Sequence, residues 1–349
     1  MKTSQTKRQG DISLLTGATT IFSRLIHDLH RAHRSIDMEF YIFEGDKLGS
    51  VIIDILCRKA RAGVVVRLLL DGFGSRRLRS SQRHALRTSG VLLHIYNKVS
   101  HRRIHRKLVV VDGRITYVGG ANIADRYVAG NGLGVWYDAM LRVEGRACKP
   151  IADILDADIR SGMQATSAVS SSVCDMRIYT STSCGERDNI VAAFEEAFDM
   201  AHRKLLICTP YFAPPPHVMS LFEDAVGRGV HVELYVPARC GIPIADGVMR
   251  RRALEAASCG VEVRLCHDIF PHAKLLVVDN RYTLVGSANL DCRSLRYNSE
   301  IMVGICRHSV VHAAHALFQL LERSAVGASN CRGLLYMPQS LSRLLVHLL

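Results

Sequence analysis

An 18-residue stretch occurs twice in this chain, at 105–122 and again at 272–289. The first copy reads HRKLVVVDGRITYVGGAN and the second HAKLLVVDNRYTLVGSAN. Each has a His, a Lys two residues later (His105/Lys107, His272/Lys274) and an Asp five residues after the Lys (Asp112, Asp279). The Asn falls at one offset in both, 122 − 105 = 17 and 289 − 272 = 17. Gly63 to Gly229 is 166 residues and Gly90 to Gly260 is 170, against 167 for the His pair, so the repeat extends well beyond the motif. A chain built this way is constrained to fold as two like halves with one site assembled from both.

Each copy reads as a β-hairpin. Leu108–Val111 and Leu275–Val278 are β-branched-rich apolar runs, and Asp112-Gly113 and Asp279-Asn280 are turn dipeptides. Side chains alternate along a strand, so His105 shares a face with Lys107, and His272 with Lys274. Pairing about a two-residue turn sets His105 opposite Gly120 and His272 opposite Ser287. Asn122 and Asn289 then return beside the His–Lys pairs, and Gly119, Gly120 and Gly286 leave the backbone room to approach a ligand.

Around the hairpins the order of elements repeats. Helical periodicity over Ala18–Ala32, Leu48–Ala62 and Arg83–Thr88 alternates with strands at Ser35–Phe43, Val64–Leu70 and Gly90–Tyr96. The second half shows helices at Asn189–His202, His217–Gly227 and Gly247–Ser258, with strands at Lys204–Cys208, Val230–Val236 and Gly260–Leu265. Such alternation predicts an α/β fold of two pseudo-symmetric α/β/α domains with mixed, largely parallel sheets and the active site at their interface. The Ser-, Thr- and Ala-rich segment Gln164–Ser172 marks the boundary, giving domains at 1–163 and 164–349. The loop Gly130–Gly134 reads as a connector placed where it could gate a substrate, and His27, His30 and His33 as the wet flank of a helix.

No run approaches the roughly 18 apolar residues of a spanning helix, and Met1–Asp11 is too polar for a signal peptide. Eleven scattered cysteines, without a CxxC pair, fit reduced thiols better than disulfides or a zinc site. The net charge of +13 calls for an anionic partner, nucleic acid or an anionic membrane. Arg76, Arg77, Arg79, Arg83 and Arg87 form one basic cluster, continued by Arg102, Arg103 and Arg106, and Arg250–Arg252 form another; beside a phosphate-handling motif these read as a face for lipid head groups. The apolar tail Leu341–Leu349 suits docking on a membrane or on the protein body.

A neutral imidazole, an ammonium and an amide converging in one place make an anion site that contains a nucleophile. One copy alone would equally fit a buried network that closes a hairpin; two copies with matched offsets favour chemistry.

The duplicated HxKxxxxD pattern resembles the hallmark of the phospholipase D superfamily, and within it the chain is most similar to bacterial cardiolipin synthases of the short type without N-terminal membrane spans. The supporting residues are Glu39–Phe43 (EFYIF), Gly119–Ile123 (GGANI), Trp136–Asp138 (WYD), Thr209–Phe212 (TPYF) and Gly286–Asp291 (GSANLD), continuing to Arg293, Ser294, Asn298 and Glu300. They run from about Leu14 to about Val303.

The resemblance implies two phospholipase D-like domains and phosphatidyl transfer through a phosphohistidine. His105 would be the nucleophile and His272 the acid/base, with Lys107, Lys274, Asn122 and Asn289 on the phosphate oxygens. The acids that orient the two imidazoles follow the motifs: Asp138 in WYD, expected on His105, and Glu300 in NSE, expected on His272. Asp112 and Asp279 complete the catalytic motif by pattern but read as ion-pair or turn residues. No cofactor or metal is implied, because two Lys and two Asn supply the positive potential. The expected substrate and partner is phosphatidylglycerol in an anionic membrane, met from the cytoplasmic side as a peripheral protein. Hydrolysis as in a phospholipase D, or a nuclease of the superfamily, are the alternatives. Nuclease members often carry one motif per chain, so the double motif argues against nucleic acid.

Overall fold

A computed structural model of the chain describes residues 10–96, 102–130, 132–162, 170–173, 175–181 and 189–327. The Leu341–Leu349 tail lies outside the described residues, as does most of Met1–Asp11.

The first half runs β1 (Ile12–Thr16), α1 (Ala18–His30), β2 (Ser35–Phe40), α2 (Lys47–Arg61), β3 (Val65–Asp71), α3 (Ser80–Thr88), β4 (Leu92–Tyr96), β5 (Lys107–Val111), β6 (Ile115–Gly119), α4 (Arg126–Ala129), β7 (Val135–Tyr137), β8 (Ala139–Glu144) and α5 (Lys149–Ser161). The second half runs β9 (Ser170–Val173), β10 (Met176–Thr180), α6 (Asn189–Asp199), β11 (Lys204–Cys208), β12 (Phe212–Ala213), α7 (Pro216–Gly227), β13 (His231–Pro237), α8 (Pro243–Ser258) and β14 (Glu262–Cys266). It closes with β15 (Ile269–Pro271), β16 (Lys274–Val278), β17 (Tyr282–Gly286), β18 (Leu290–Asp291), α9 (Cys292–Arg296), β19 (Ile301–Ile305), α10 (His308–Glu322) and β20 (Ala325–Gly327).

The repeat is topological. One sheet is ordered β1-β8-β6-β5-β2-β3-β4, and the other carries the same order, β10-β19-β17-β16-β11-β13-β14, with β9 and β20 added at its edges. Both are mixed but not largely parallel: parallel pairing is confined to β2-β3-β4 and β11-β13-β14. The motif hairpin and the strand returning after it make the remainder antiparallel. The end of the expected linker, Ser170–Ser172, belongs to the edge strand β9.

Three apolar cores result. Helices α1 and α2 cover the outer face of the first sheet, and α6 and α7 that of the second. The third core joins the inner faces of both sheets with α5 and α10. Helix α2 shows the local logic: Asp46 caps its start, accepting from Gly49 N at 3.1 Å, and Arg58, Lys59 and Arg61 lie in the last turn, against the negative end of the helix dipole. Ile52, Ile55 and Leu56 are buried, and truncating Leu56 to Ala would cost about 2–5 kcal/mol.

The motif hairpins turn at Asp112-Gly113 (φ 53° and 64°) and Asp279-Asn280 (φ 47° and 57°). Positive φ at both central residues, with Arg114 N on Val111 O at 3.0 Å and Arg281 N on Val278 O at 2.9 Å, is the tight turn that suits strand twist. The strands then pair Val111 with Ile115 and Val278 with Tyr282, one residue beyond the expected register. The histidines precede their strands, so neither faces Gly120 or Ser287 as the simple hairpin required.

Candidate active site

Each histidine segment leaves its own half. Ile104 forms a parallel bridge with Ser299, and His105 N donates to Ser299 O at 3.0 Å. Strand β15 pairs with β7, matching Phe270 with Trp136 and Pro271 with Tyr137, and His272 N donates to Tyr137 O at 2.7 Å. Each histidine is thus delivered, by backbone pairing, next to the acid-bearing segment of the opposite half.

The side chains cross accordingly. His105 Nδ1 lies 2.7 Å from Glu300 Oε1, and His272 Nδ1 lies 2.6 Å from Asp138 Oδ2. This reverses the expected assignment of Asp138 to His105 and Glu300 to His272. Glu300 is itself fixed by the Ser287 hydroxyl and by Asn298 Nδ2 at 3.4 Å, and Asp138 by Ala139 N at 2.8 Å. Gly120 is needed here: a Cβ on it would stand 2.2 Å from Asp138 Oδ1. Gly119 and Gly286 make room for neighbouring strands, since their Cβ atoms would stand 2.3 Å from Ala139 O and 2.1 Å from Ile301 O. These glycines therefore admit protein atoms rather than a ligand.

The two lysines begin β5 and β16 and are buried. Lys107 Nζ donates to His105 O; Lys274 Nζ donates to His272 O at 2.6 Å and lies 2.9 Å from His272 Nδ1. Burial, opposed by Glu300 and reinforced by Lys274, brings the Lys107 ammonium down to about 7. Burial likewise brings Lys274 to about 8, opposed by Asp138 and Glu300. Burial lowers His105 to about 4 against the pull of Glu300, and His272 to about 3 with Lys274 adding to the effect. Both imidazoles are neutral near pH 7, and their Nδ1 atoms are the ones engaged by carboxylates. Burial favours the neutral form of Glu300, but His105 and Lys107 outweigh it and keep the group ionised.

The motif aspartates lie at the turns, away from these groups. Asp112 accepts from the amides of His33, Arg34 and Ser35, with Arg34 N at 2.7 Å. Asp279 accepts from His202, Arg203 and Lys204, each at 2.8 Å. They tie the hairpin tip to the start of β2 or β11. The turn reading holds, and the partners are backbone amides rather than an ion pair. They do not join the catalytic set that the motif pattern placed them in.

Both asparagines are buried and engaged within the protein. Asn122 Oδ1 accepts from Ile42 N at 3.0 Å while its Nδ2 donates to Tyr127 Oη at 2.5 Å. Asn289 Nδ2 donates to Asp291 Oδ2 at 3.0 Å. Burial raises the Asp291 carboxyl to about 6.

The aromatic walls were not foreseen as site residues. Trp136 stacks on the His272 ring at 4.9 Å and Tyr127 meets it edge-on at 5.1 Å, while Tyr41 meets His105 at 5.1 Å. Trp136 and Tyr41 stand inside the WYD and EFYIF segments, so those segments were the available signal.

The basic clusters divide. Arg106 is fully buried, pairs with Asp158 on α5, and donates to Glu300 O at 3.1 Å and Ser181 O at 2.7 Å. It is an internal tie between the halves, not part of a lipid-facing surface. Arg252 is buried too and pairs with Glu255 at 2.7 Å. Among the described residues one group, His231, Glu233 and Glu262, has metal-ligand spacing. It includes neither motif histidine, and Lys204 already pairs with Glu233 at 2.7 Å. His27, His30 and His33 are exposed, as a helix flank should be.

The family described as "Cardiolipin synthase, PLD-like domain" matches residues 25–157 and 194–321. The chain is 32% identical over 306 residues to a cardiolipin synthase of Oceanobacillus iheyensis, covering 83% of this chain and 64% of that protein. Identity to the major cardiolipin synthase of Bacillus subtilis is 32% over 309 residues, with the same two shares, 83% and 64%. The minor cardiolipin synthase of that organism is 29% identical over 314 residues, 86% of this chain and 78% of the relative. The chain thus spans 64% of the length of the first two relatives. In fold it is similar to a phosphatidylserine synthase of Haemophilus influenzae, with a TM-score of 0.74, 18% identity and coverage of 96% of this chain and 92% of that one. A polyphosphate kinase of Porphyromonas gingivalis aligns with a TM-score of 0.66 at 14% identity, over 96% of this chain and 52% of the kinase.

Proposed function

Because the chain belongs to the cardiolipin synthase family of phospholipase D-like domains, we propose that it transfers a phosphatidyl group from one phosphatidylglycerol to another, forming cardiolipin and glycerol. The observation that carries this reading is the pair of neutral imidazoles, each held at Nδ1 by a buried carboxylate from the other half, with Lys107 and Lys274 beside them.

His105 Nε2 attacks phosphorus, the bond to the departing glycerol oxygen breaks, and His272 gives that oxygen a proton. The terminal hydroxyl of a second phosphatidylglycerol then loses its proton to His272 and attacks phosphorus, breaking the bond to His105 and releasing cardiolipin. Glu300 and Asp138 hold the imidazoles in one tautomer and stabilise their charged forms. Lys107 and Lys274 supply positive charge to the phosphate oxygens. A bound phosphodiester adds negative charge opposite these groups and raises pKa values that burial depresses in the empty site, letting His272 carry its proton. Asn122 and Asn289 would reach the phosphate by exchanging their internal partners for it.

The reading puts the protein at an anionic phospholipid surface, met from the cytoplasmic side, in keeping with its +13 charge. No helix among the described residues is long and apolar enough to cross a membrane. Purified protein incubated with phosphatidylglycerol vesicles, with and without a chelator, tests the assignment. Cardiolipin and glycerol in equal amounts, unaffected by chelation, is the expected result. Phosphatidic acid as the sole product would replace transfer by hydrolysis, and lost turnover restored by one particular metal would overturn the phosphohistidine route.

A further inference from the structure

Two exposed apolar segments are each tied to one of the two histidine-bearing segments. On the His105 side Phe73 is 53% exposed, and its ring lies against the guanidinium groups of Arg76 at 4.9 Å and Arg103 at 4.6 Å. Its loop is braced from within. Asp71 accepts from the amides of Phe73, Gly74 and Ile104, the last being the residue before His105. Ser75 Oγ donates at 3.0 Å to the carbonyl of Tyr41, whose ring meets His105.

On the His272 side the segment Gly241–Ile244 is exposed throughout, with Ile242 at 52% and Ile244 at 56%. It rests on Leu133 of the first half, whose Cδ1 is 3.2 Å from where a Cβ on Gly241 would stand. Three residues after Leu133 comes Trp136, stacked on His272.

Isolated exposed apolar residues are ordinary on a protein surface. Here two isoleucines around a proline and an Arg-flanked phenylalanine are each tied to the surroundings of one site histidine, which is the arrangement of a covered surface. Charge selects the occupant. Guanidinium groups at an aromatic ring, on a protein of +13 net charge, fit anionic head groups above and acyl chains below. We propose that this rim is the surface by which the protein seats itself on an anionic phospholipid bilayer: Phe73, Ile242 and Ile244 enter the acyl boundary, Arg76 and Arg103 hold lipid phosphates, and the cleft opens onto the head-group layer between them. The proposal rests on the phosphatidyl-transfer reading and adds to it the face that meets the lipid.

The test adds one tryptophan at a time to the native Trp136 and reads the quenching in excess of wild type by brominated acyl chains in phosphatidylglycerol vesicles. Phe73→Trp and Ile244→Trp should be quenched, whereas Val65→Trp, exposed at the opposite end of β3, should not. Ile242→Ser/Ile244→Ser should weaken vesicle binding by on the order of tenfold or more per residue, and leave turnover of phosphatidylglycerol in detergent micelles unchanged. Equal quenching at all three positions, or unchanged vesicle binding by the double variant, overturns the assignment of this face. So does a double variant that changes only the oligomeric state, which would make the rim a contact between copies. Micellar turnover that persists through any of these results leaves the reaction standing; its absence in the wild-type protein refutes the reaction itself.

Discussion

The imidazole of His105 takes its carboxylate from Glu300, 195 residues further along the chain and 2.7 Å away in space. His272 takes its own from Asp138, 134 residues earlier. Each half therefore supplies a histidine and a lysine for its own motif and an acid for its neighbour's, and neither half holds a complete acid–imidazole pair.

The crossing assigns separate kinetic steps to the two acids. With a nitrophenyl phosphodiester, whose leaving group needs no protonation, Glu300→Gln should slow formation of the His105 adduct by on the order of 10³-fold or more. Asp138→Asn should form the adduct and release it slowly. Rapid quench and mass spectrometry of the trapped enzyme distinguish the two. Slow release in Glu300→Gln, with normal formation, would exchange the roles of the histidines.

The motif aspartates should matter for stability and little for chemistry. Asp112→Ala removes the acceptor of three backbone amides at the hairpin tip, which should cost about 1–3 kcal/mol in denaturant unfolding. Its kcat, measured well below the melting temperature, should stay within about threefold of wild type, since each factor of ten in rate is about 1.4 kcal/mol of barrier. His105→Ala and His272→Ala should each abolish turnover, and the double variant should be little worse.

The lysines set the alkaline limit. Lys107 at about 7 and Lys274 at about 8 lose their protons as pH rises through those values, and each loss removes a positive charge from the phosphate site. With the nitrophenyl phosphodiester, whose leaving group needs no proton from His272, the ratio kcat/KM, which reports the free enzyme, should fall from about pH 7 upward. The limb in kcat should lie higher, because bound phosphodiester stabilises the ammonium forms. An acid limb should appear only near pH 4, where His105 becomes protonated. A flat profile from pH 6 to 9 would show that the lysines do not titrate in this range.

Arg106 should prove a structural tie. Replacing it with Met leaves Asp158 buried without its partner and should destabilise the fold by about 3–5 kcal/mol. Arg106→Met/Asp158→Leu should recover much of that loss in urea unfolding, because no lone charge remains. Ala273, at the matching position of the second motif, already shows an apolar residue accommodated there.

The sequence determined the duplication, the α/β elements and the His–Lys pairs proposed to react, because these are written in local spacing. Period-two alternation put His105 with Lys107, and the turn dipeptides at Asp112 and Asp279 marked the hairpins. What the sequence could not decide is which acid serves which histidine. Chain proximity favoured Asp138 for His105, but the segments before both motifs pair across to the other half, Ile104 with Ser299 and Phe270 with Trp136. The same limit explains Arg106: within a run of arginines it looked like part of a basic surface, and only the contact of α5 with the first sheet put Asp158 beside it. Local patterns repeat faithfully in each half, whereas the pairing between halves is a long-range choice made by backbone hydrogen bonds and a shared core, and it left no spacing in the sequence to read.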